Sequence, residues 1–126
     1  MKKFVFAIVL LAALVGCGIW YQYAVADFAA EISVRCDAIE RLVYEKESKA
    51  LEENFEKFEA YWENKETQMA YFIDHAHLNA ITKSIGELGM AIRVQAEADI
   101  LMANARIKAE AQDIAEDELL RPENLF

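Results

Sequence analysis

Polar and apolar positions alternate along this chain with a period that changes only at a few places. From Phe4 to Ala26 there is no charged side chain, and Gln22 is the one strongly polar residue. Beyond that run the pattern becomes amphipathic. Phe28, Ile32, Cys36, Ile39 and Val43 recur at intervals of three and four, which is one face of a helix. Continuing that stripe would bury positions 46, 49 and 53, yet the next apolar stripe is Leu51, Phe55, Phe58, Trp62 and Met69. The phase slip and the all-polar stretch from Glu45 to Lys49 predict a tight turn, with Ser48 as the N-cap of the following helix. A third stripe, Leu78, Ile81, Ile85, Leu88 and Ile92, follows Asp74, the expected cap. Gly86 and Gly89 lie within it, each costing up to ~1 kcal/mol relative to Ala, and close helix–helix approach is the expected reason for them. The last stripe, Ile100, Ala103, Ile107, Ala111 and Ile114, is expected to end near Leu120, before Pro122.

These stripes predict an all-α protein: an N-terminal transmembrane helix followed by an antiparallel helical bundle of about four helices. The alternative is one long two-helix hairpin, about 27–72 and 76–120, because no turn residue separates Arg93 from Glu97 and the last two stripes are nearly in phase. The expected division is a tip at 1–3, a span or signal anchor at 4–26, a helical domain at 27–120 and a tail at 121–126.

At ~1.5 Å per residue the run from Phe4 to Ala26 reaches roughly 35 Å, enough to cross a bilayer core of about 30 Å with some tilt. Trp20, Tyr21 and Tyr23 cluster at its far end, where aromatic side chains favour the water–lipid boundary. Lys2 and Lys3 flank its near end, which predicts a single-pass protein of the cell membrane with the N-terminus in the cytoplasm and the helical domain outside. A lipoprotein reading competes with the retained span. Leu14-Val15-Gly16-Cys17 has the order of a lipidation signal, so Cys17 is a candidate lipid attachment point. Against it, the apolar run continues well past Cys17. Ordinary secretion lacks a convincing cleavage site.

Composition narrows the function classes. All 22 acidic residues, but only 11 of the 13 basic ones, lie beyond residue 26, so the outer part is still more acidic than the whole chain at −9. Such a surface repels nucleic acid and anionic headgroups, and DNA and RNA are excluded as partners. Membrane lipid through residues 4–26, and another envelope protein or a second copy, remain. Cys17 and Cys36 would stand roughly 28 Å apart on one helix and cannot bridge each other. They are expected to be unpaired, the alternative being a Cys36–Cys36 bond between two copies.

Asp74-His75-Ala76-His77 is the one local cluster of ligand-type side chains. On a helix His75 and His77 point about 200° apart, so they do not readily share a metal. Glu66 or Glu87 would complete such a site only through the tertiary fold. Capping by Asp74 and packing or surface histidines are the expectation, with no cofactor and no metal. The glutamates at 52, 53, 56, 59, 63 and 66 mostly face away from the Leu51–Trp62 stripe, as on a solvated helix face. No calcium loop, phosphate loop or nucleophile–histidine motif is present in the sequence. The dense aromatics between Phe55 and Phe72 fill a core or form a partner surface, with Tyr61, Trp62 and Tyr71 as candidate contact residues.

A basic tip, an apolar run ending in aromatics, Ala50-Leu51, Trp62, Tyr71-Phe72-Ile73-Asp74-His75, Ile81, Leu88 and the ending Glu123-Asn124-Leu125-Phe126 occur in that order. In this the chain resembles the small bacterial family catalogued as domain of unknown function 4363. The resemblance covers nearly the whole chain, and Phe72-Ile73-Asp74-His75 is its most specific element. It implies a short single-span protein of Gram-positive bacteria and favours four helices over two. It assigns no catalytic residue, so Phe72, Ile73, Asp74 and His75 carry over as motif positions of unknown role. Where the family tends to have acids after the motif, this chain has His77 and Asn79, and where the family tends to show a polar turn, it has Arg93 to Glu97. The expected role is a non-enzymatic interaction or accessory subunit of an envelope complex. The alternative is an envelope metal-binding protein or hydrolase centred on Asp74, His75 and His77.

Overall fold

The computed structural model describes residues 1–118, and among these the chain is helical without strands. Four helices follow one another: α1 (Lys2–Tyr44), α2 (Ser48–Met69), α3 (His75–Arg93) and α4 (Glu97–Glu118). The expected helix end near Leu120, the Pro122 stop and the 121–126 tail lie outside the described residues.

No Gly or Pro interrupts α1 between Gly18 and Tyr44, and the apolar run passes into the bundle as one rod about 65 Å long. Its first twenty residues touch no core, and burial begins at Tyr21 and is complete at Val25. From there Phe28, Ile32, Cys36, Ile39 and Val43 face inward, as their spacing predicts. The stripes of α3 and α4 are likewise buried throughout. In α2, Leu51, Phe58, Trp62 and Met69 are buried and Phe55 is half-buried.

The bundle is antiparallel and sequential. α2 lies between α1 and α3, and α4 returns to close the ring against both α3 and α1. The interfaces of α4 are broad and those of α2 narrower. The side chains give the reason. Ala103 and Ala111 on α4, with Ala29 and Cys36 on α1 and Ser84 and Ala91 on α3, let backbones approach, while Phe58 and Trp62 hold α2 further off. Of the two glycines in α3, Gly89 supports a close approach: a Cβ there would stand 2.8 Å from Cζ of Phe55. Gly86 does not, because a Cβ there would meet nothing within 4 Å.

The two turns farthest from the apolar end of α1 share one geometry. Lys46 adopts φ 58° and donates its N–H to the Val43 carbonyl, while Glu47 N–H reaches Leu42. Gln95 adopts φ 57°, with the same pair of bonds to Ile92 and, from Ala96, to Ala91. A left-handed residue with two such bonds is how a helix satisfies its last carbonyls, usually with Gly at that position. Here a lysine and a glutamine serve, which is how α3 and α4 separate without a turn-forming residue. The Ser48 expectation is corrected by one position. Glu47 occupies the N-cap, makes no side-chain bond there, and Ser48 is the first helical residue.

Candidate functional site

The motif Phe72-Ile73-Asp74-His75 forms the connection between α2 and α3, at the end of the bundle beside the apolar part of α1. Phe72 and Ile73 N–H both donate to the Met69 carbonyl, which stops α2. Asp74 then caps α3, its Oδ1 accepting from Ala76 N–H at 2.9 Å. Ile73 is buried immediately before the cap and Leu78 four positions after it, the two places where apolar residues brace the entry of a helix. His75 is exposed at the first helical position.

Phe72 ties this loop to α1. Its ring stands 5.8 Å from Trp20 in an edge contact and 5.8 Å from Tyr21, whose hydroxyl donates to the Phe72 carbonyl at 3.1 Å. Edge-to-face aromatic pairs of this kind favour fixed geometry as well as burial. Tyr71, beside it, is 84% exposed.

His77 ties the same corner to α4. Its Nδ1 lies 3.2 Å from Glu110 Oε2 and its Nε2 3.0 Å from Asp117 Oδ2. Glu110 and Asp117 are seven residues apart, so they share one face of α4. A neutral imidazole has one N–H to give, and an imidazolium has two. Burial pulls the His77 pKa down, but the hydrogen bonds from Glu110 and Asp117 outweigh it and leave the group above its ordinary value. With both ring nitrogens occupied, His77 is a clamp between helices. Asp74, His75 and His77 therefore have three different tasks. Glu66 accepts from the Thr82 hydroxyl at 2.9 Å and Glu87 pairs with Arg106 at 2.8 Å, so neither completes a metal site with the histidines. Among the described residues no group of three or more His, Cys, Asp and Glu side chains is arranged to hold a metal ion.

The candidate aromatics also separate. Trp62 is 2% exposed, stacks on Phe28 at 5.8 Å and donates from Nε1 to Thr82 Oγ1 at 3.0 Å, so it belongs to the core and offers no partner surface. Tyr61 is half-buried beneath the Arg35 guanidinium, 4.5 Å from its ring centroid. Burial, with Glu31 and Asp27 nearby, pushes its hydroxyl up to about 12 against the opposing pull of Arg35. Only Tyr71 of the three stands free of the bundle surface. Cys17 is exposed on the apolar part of α1. Cys36 is fully buried, and that burial, reinforced by Asp37, pushes its thiol up to about 12. A bond between two copies through Cys36 would require the bundle to open, which corrects that alternative.

The family model described as Domain of unknown function (DUF4363) matches residues 19–125. The chain belongs to this family. No curated protein and no solved structure matches it. The matched region starts at the aromatic end of the apolar run and takes in the whole bundle, with Phe72-Ile73-Asp74-His75 at the corner beside the apolar part of α1.

Several residues that fix the helix register escape a reading of the sequence. Glu110 and Asp117 stand 33 and 40 positions from His77 and become its partners only through the α3–α4 register. Asn104 is buried next to the Ala103 stripe and donates to the Cys36 carbonyl at 2.8 Å, fixing the register of α4 on α1. The available signal was a polar residue adjoining an otherwise apolar face. Lys108 Nζ, 2.6 Å from Asp37, supports the same register, and that hydrogen bond raises the lysine pKa.

Proposed function

We propose that this DUF4363 protein is a single-pass membrane protein whose bundle stands outside the cytoplasm as a non-enzymatic interaction or accessory subunit of an envelope complex. Two features of α1 support the membrane attachment. One helix among the described residues is long and apolar enough to span a bilayer, and its apolar part as far as Trp20 is left exposed by the bundle. Lys2 and Lys3 before it favour a cytoplasmic N-terminus.

The observation that carries the interaction role lies at the other end of the molecule. Met90, Val94 and Met102 are each more than half exposed and line one groove between α3 and α4, beside the Glu87–Arg106 ion pair. Flexible methionines beside a small charged rim suit a helical protein partner, either another envelope protein or a second copy. The catalytic side of the reading is equally concrete: both His77 nitrogens and the Asp74 carboxylate are engaged in structural bonds, which supports a non-enzymatic role.

The test is photo-crosslinking in living cells from the full-length protein. A photoreactive residue at position 90 or 102 should give a discrete higher-mass adduct, and one at the exposed Lys57 on α2 should not. Absence of an adduct from both groove positions would overturn the interaction role. The mode of attachment is tested with Cys17→Ser, which should leave membrane localisation and protein mass unchanged if the span is retained. Loss of a lipid-sized mass would establish lipidation at Cys17.

A further inference from the structure

We propose that the α2–α3 loop is a second membrane contact, with Tyr71 and Phe72 seated at the outer headgroup–acyl boundary beside α1. The inference rests on the proposed span and adds a surface to it. The apolar part of α1 that stays exposed runs from Phe4 to Trp20, about 26 Å at 1.5 Å per residue, whereas the hydrocarbon core of a bilayer is about 30 Å thick. The exposed rod is about 4 Å shorter than that core, so a seated span brings the adjoining end of the bundle to the lipid boundary. A short span is accommodated by bringing its flanking residues down into the interface, and the flanking surface here includes more than α1. The contacts of Phe72 with Trp20 and Tyr21 fix the loop at the height of those two aromatics.

The loop's composition suits that depth. Tyr71 is 84% exposed and Phe72 39% exposed, and the Phe72 ring stands against Trp20 and Tyr21, with Trp20 itself more than half exposed. Phe72, Trp20 and Tyr21 form one aromatic cluster drawn from two segments distant in sequence, and Tyr71 stands exposed beside Phe72 in the chain. Aromatic side chains with a polar edge partition to this boundary. The polar residues that follow, the capping Asp74 and exposed His75, fall where headgroups and water begin. The bundle is strongly acidic, so attraction to anionic lipid does not drive the contact, and zwitterionic lipid suffices. On this account Phe72-Ile73-Asp74-His75 does two things at once: it caps α3 and sets the bundle onto the bilayer.

The experiment uses the full-length protein in phosphatidylcholine vesicles, with nitroxide labels on single introduced cysteines in a Cys17→Ala background. Cys36 is buried and stays unlabelled. Labels go to Leu10→Cys in the span, Tyr71→Cys in the loop and Lys46→Cys in the far turn. Collision with dissolved oxygen is compared with collision with a water-soluble nickel chelate. The expected result is a label at 71 several-fold less accessible to nickel than the label at 46, and richer in oxygen. A label at 71 as open to nickel as that at 46, with the label at 10 protected, would overturn the loop contact and leave the span intact. A label at 10 open to nickel would overturn the span itself and the loop contact with it.

Discussion

At the end of the bundle far from the apolar rod, Lys46 and Gln95 close α1 and α3 with backbone bonds alone, around a cleft of about 240 Å3 lined by Leu42, Leu51, Ile92 and Ile100. At the near end backbone bonds to the Met69 carbonyl stop α2, and side chains add to the closing. Asp74 caps α3, Phe72 and Tyr21 tie the loop to α1, His77 bridges α3 to α4, and Trp62 joins Phe28 to Thr82. Backbone closure accepts many residue types, whereas a cap, an aromatic contact and an imidazole clamp do not. The side-chain closures accordingly gather at the near end, where the bundle meets the exposed apolar part of α1.

The largest contrast should appear in core truncations. Phe28→Ala removes the ring stacked on Trp62 and should cost about 3–5 kcal/mol. Leu51→Ala, beside the open far cleft, should fall near the low end of the usual range of about 2–5 kcal/mol, because less packing is lost there. Urea unfolding of the detergent-solubilised protein checks both, and equal costs would remove this distinction between the ends.

Glycine substitutions should act with opposite sign at the two ends. Lys46→Gly and Gln95→Gly relieve a left-handed conformation that costs about 1–2 kcal/mol for a residue with a Cβ, and each should raise stability by about 1 kcal/mol. Phe72→Gly should lower it, through lost aromatic contacts with α1. At the cap, Asp74→Ala should cost about 1 kcal/mol and Asp74→Asn should be nearly neutral, since both Asp and Asn accept from the second helical N–H. Thermal unfolding of the variants decides each.

These same positions show what a single sequence exposes. The four stripes were legible because helix burial repeats every three or four residues, and the Asp74 cap was legible because capping is local. Of the far turns, that at Glu45–Lys49 was legible as a phase slip in an all-polar stretch and that at Arg93–Glu97 was not; left-handed Lys46 and Gln95 have no propensity signature, and only the bond pair marks their geometry. The alternative two-helix hairpin arose from that gap at Arg93–Glu97. Trp62 lay on the α2 core stripe with a partner surface as the alternative, and the α1–α2 register that puts Phe28 against it decides for the core. The His77 clamp depends on the register of α3 against α4, and no local spacing reveals it.

The smallest effect is the pH response of the near end. His77 has a raised pKa when folded, so its stabilising contribution is fully present below its unfolded value near 6.5 and is lost as pH rises through the folded value. Stability attributable to His77 should therefore be greater at pH 5.5 than at pH 8.5. His77→Gln should flatten that difference, whereas substitutions at Lys46 should not alter it. Urea midpoints at the two pH values check this, and an unchanged difference in His77→Gln would remove the clamp from the account.

The central claim is that an apolar rod carries the bundle across a membrane, near end against the lipid and far end away from it. A topology reporter fused after Phe126 in living cells tests this most directly. The account predicts activity from a reporter that works only outside the cytoplasm. Activity from a reporter that works only inside would contradict the orientation.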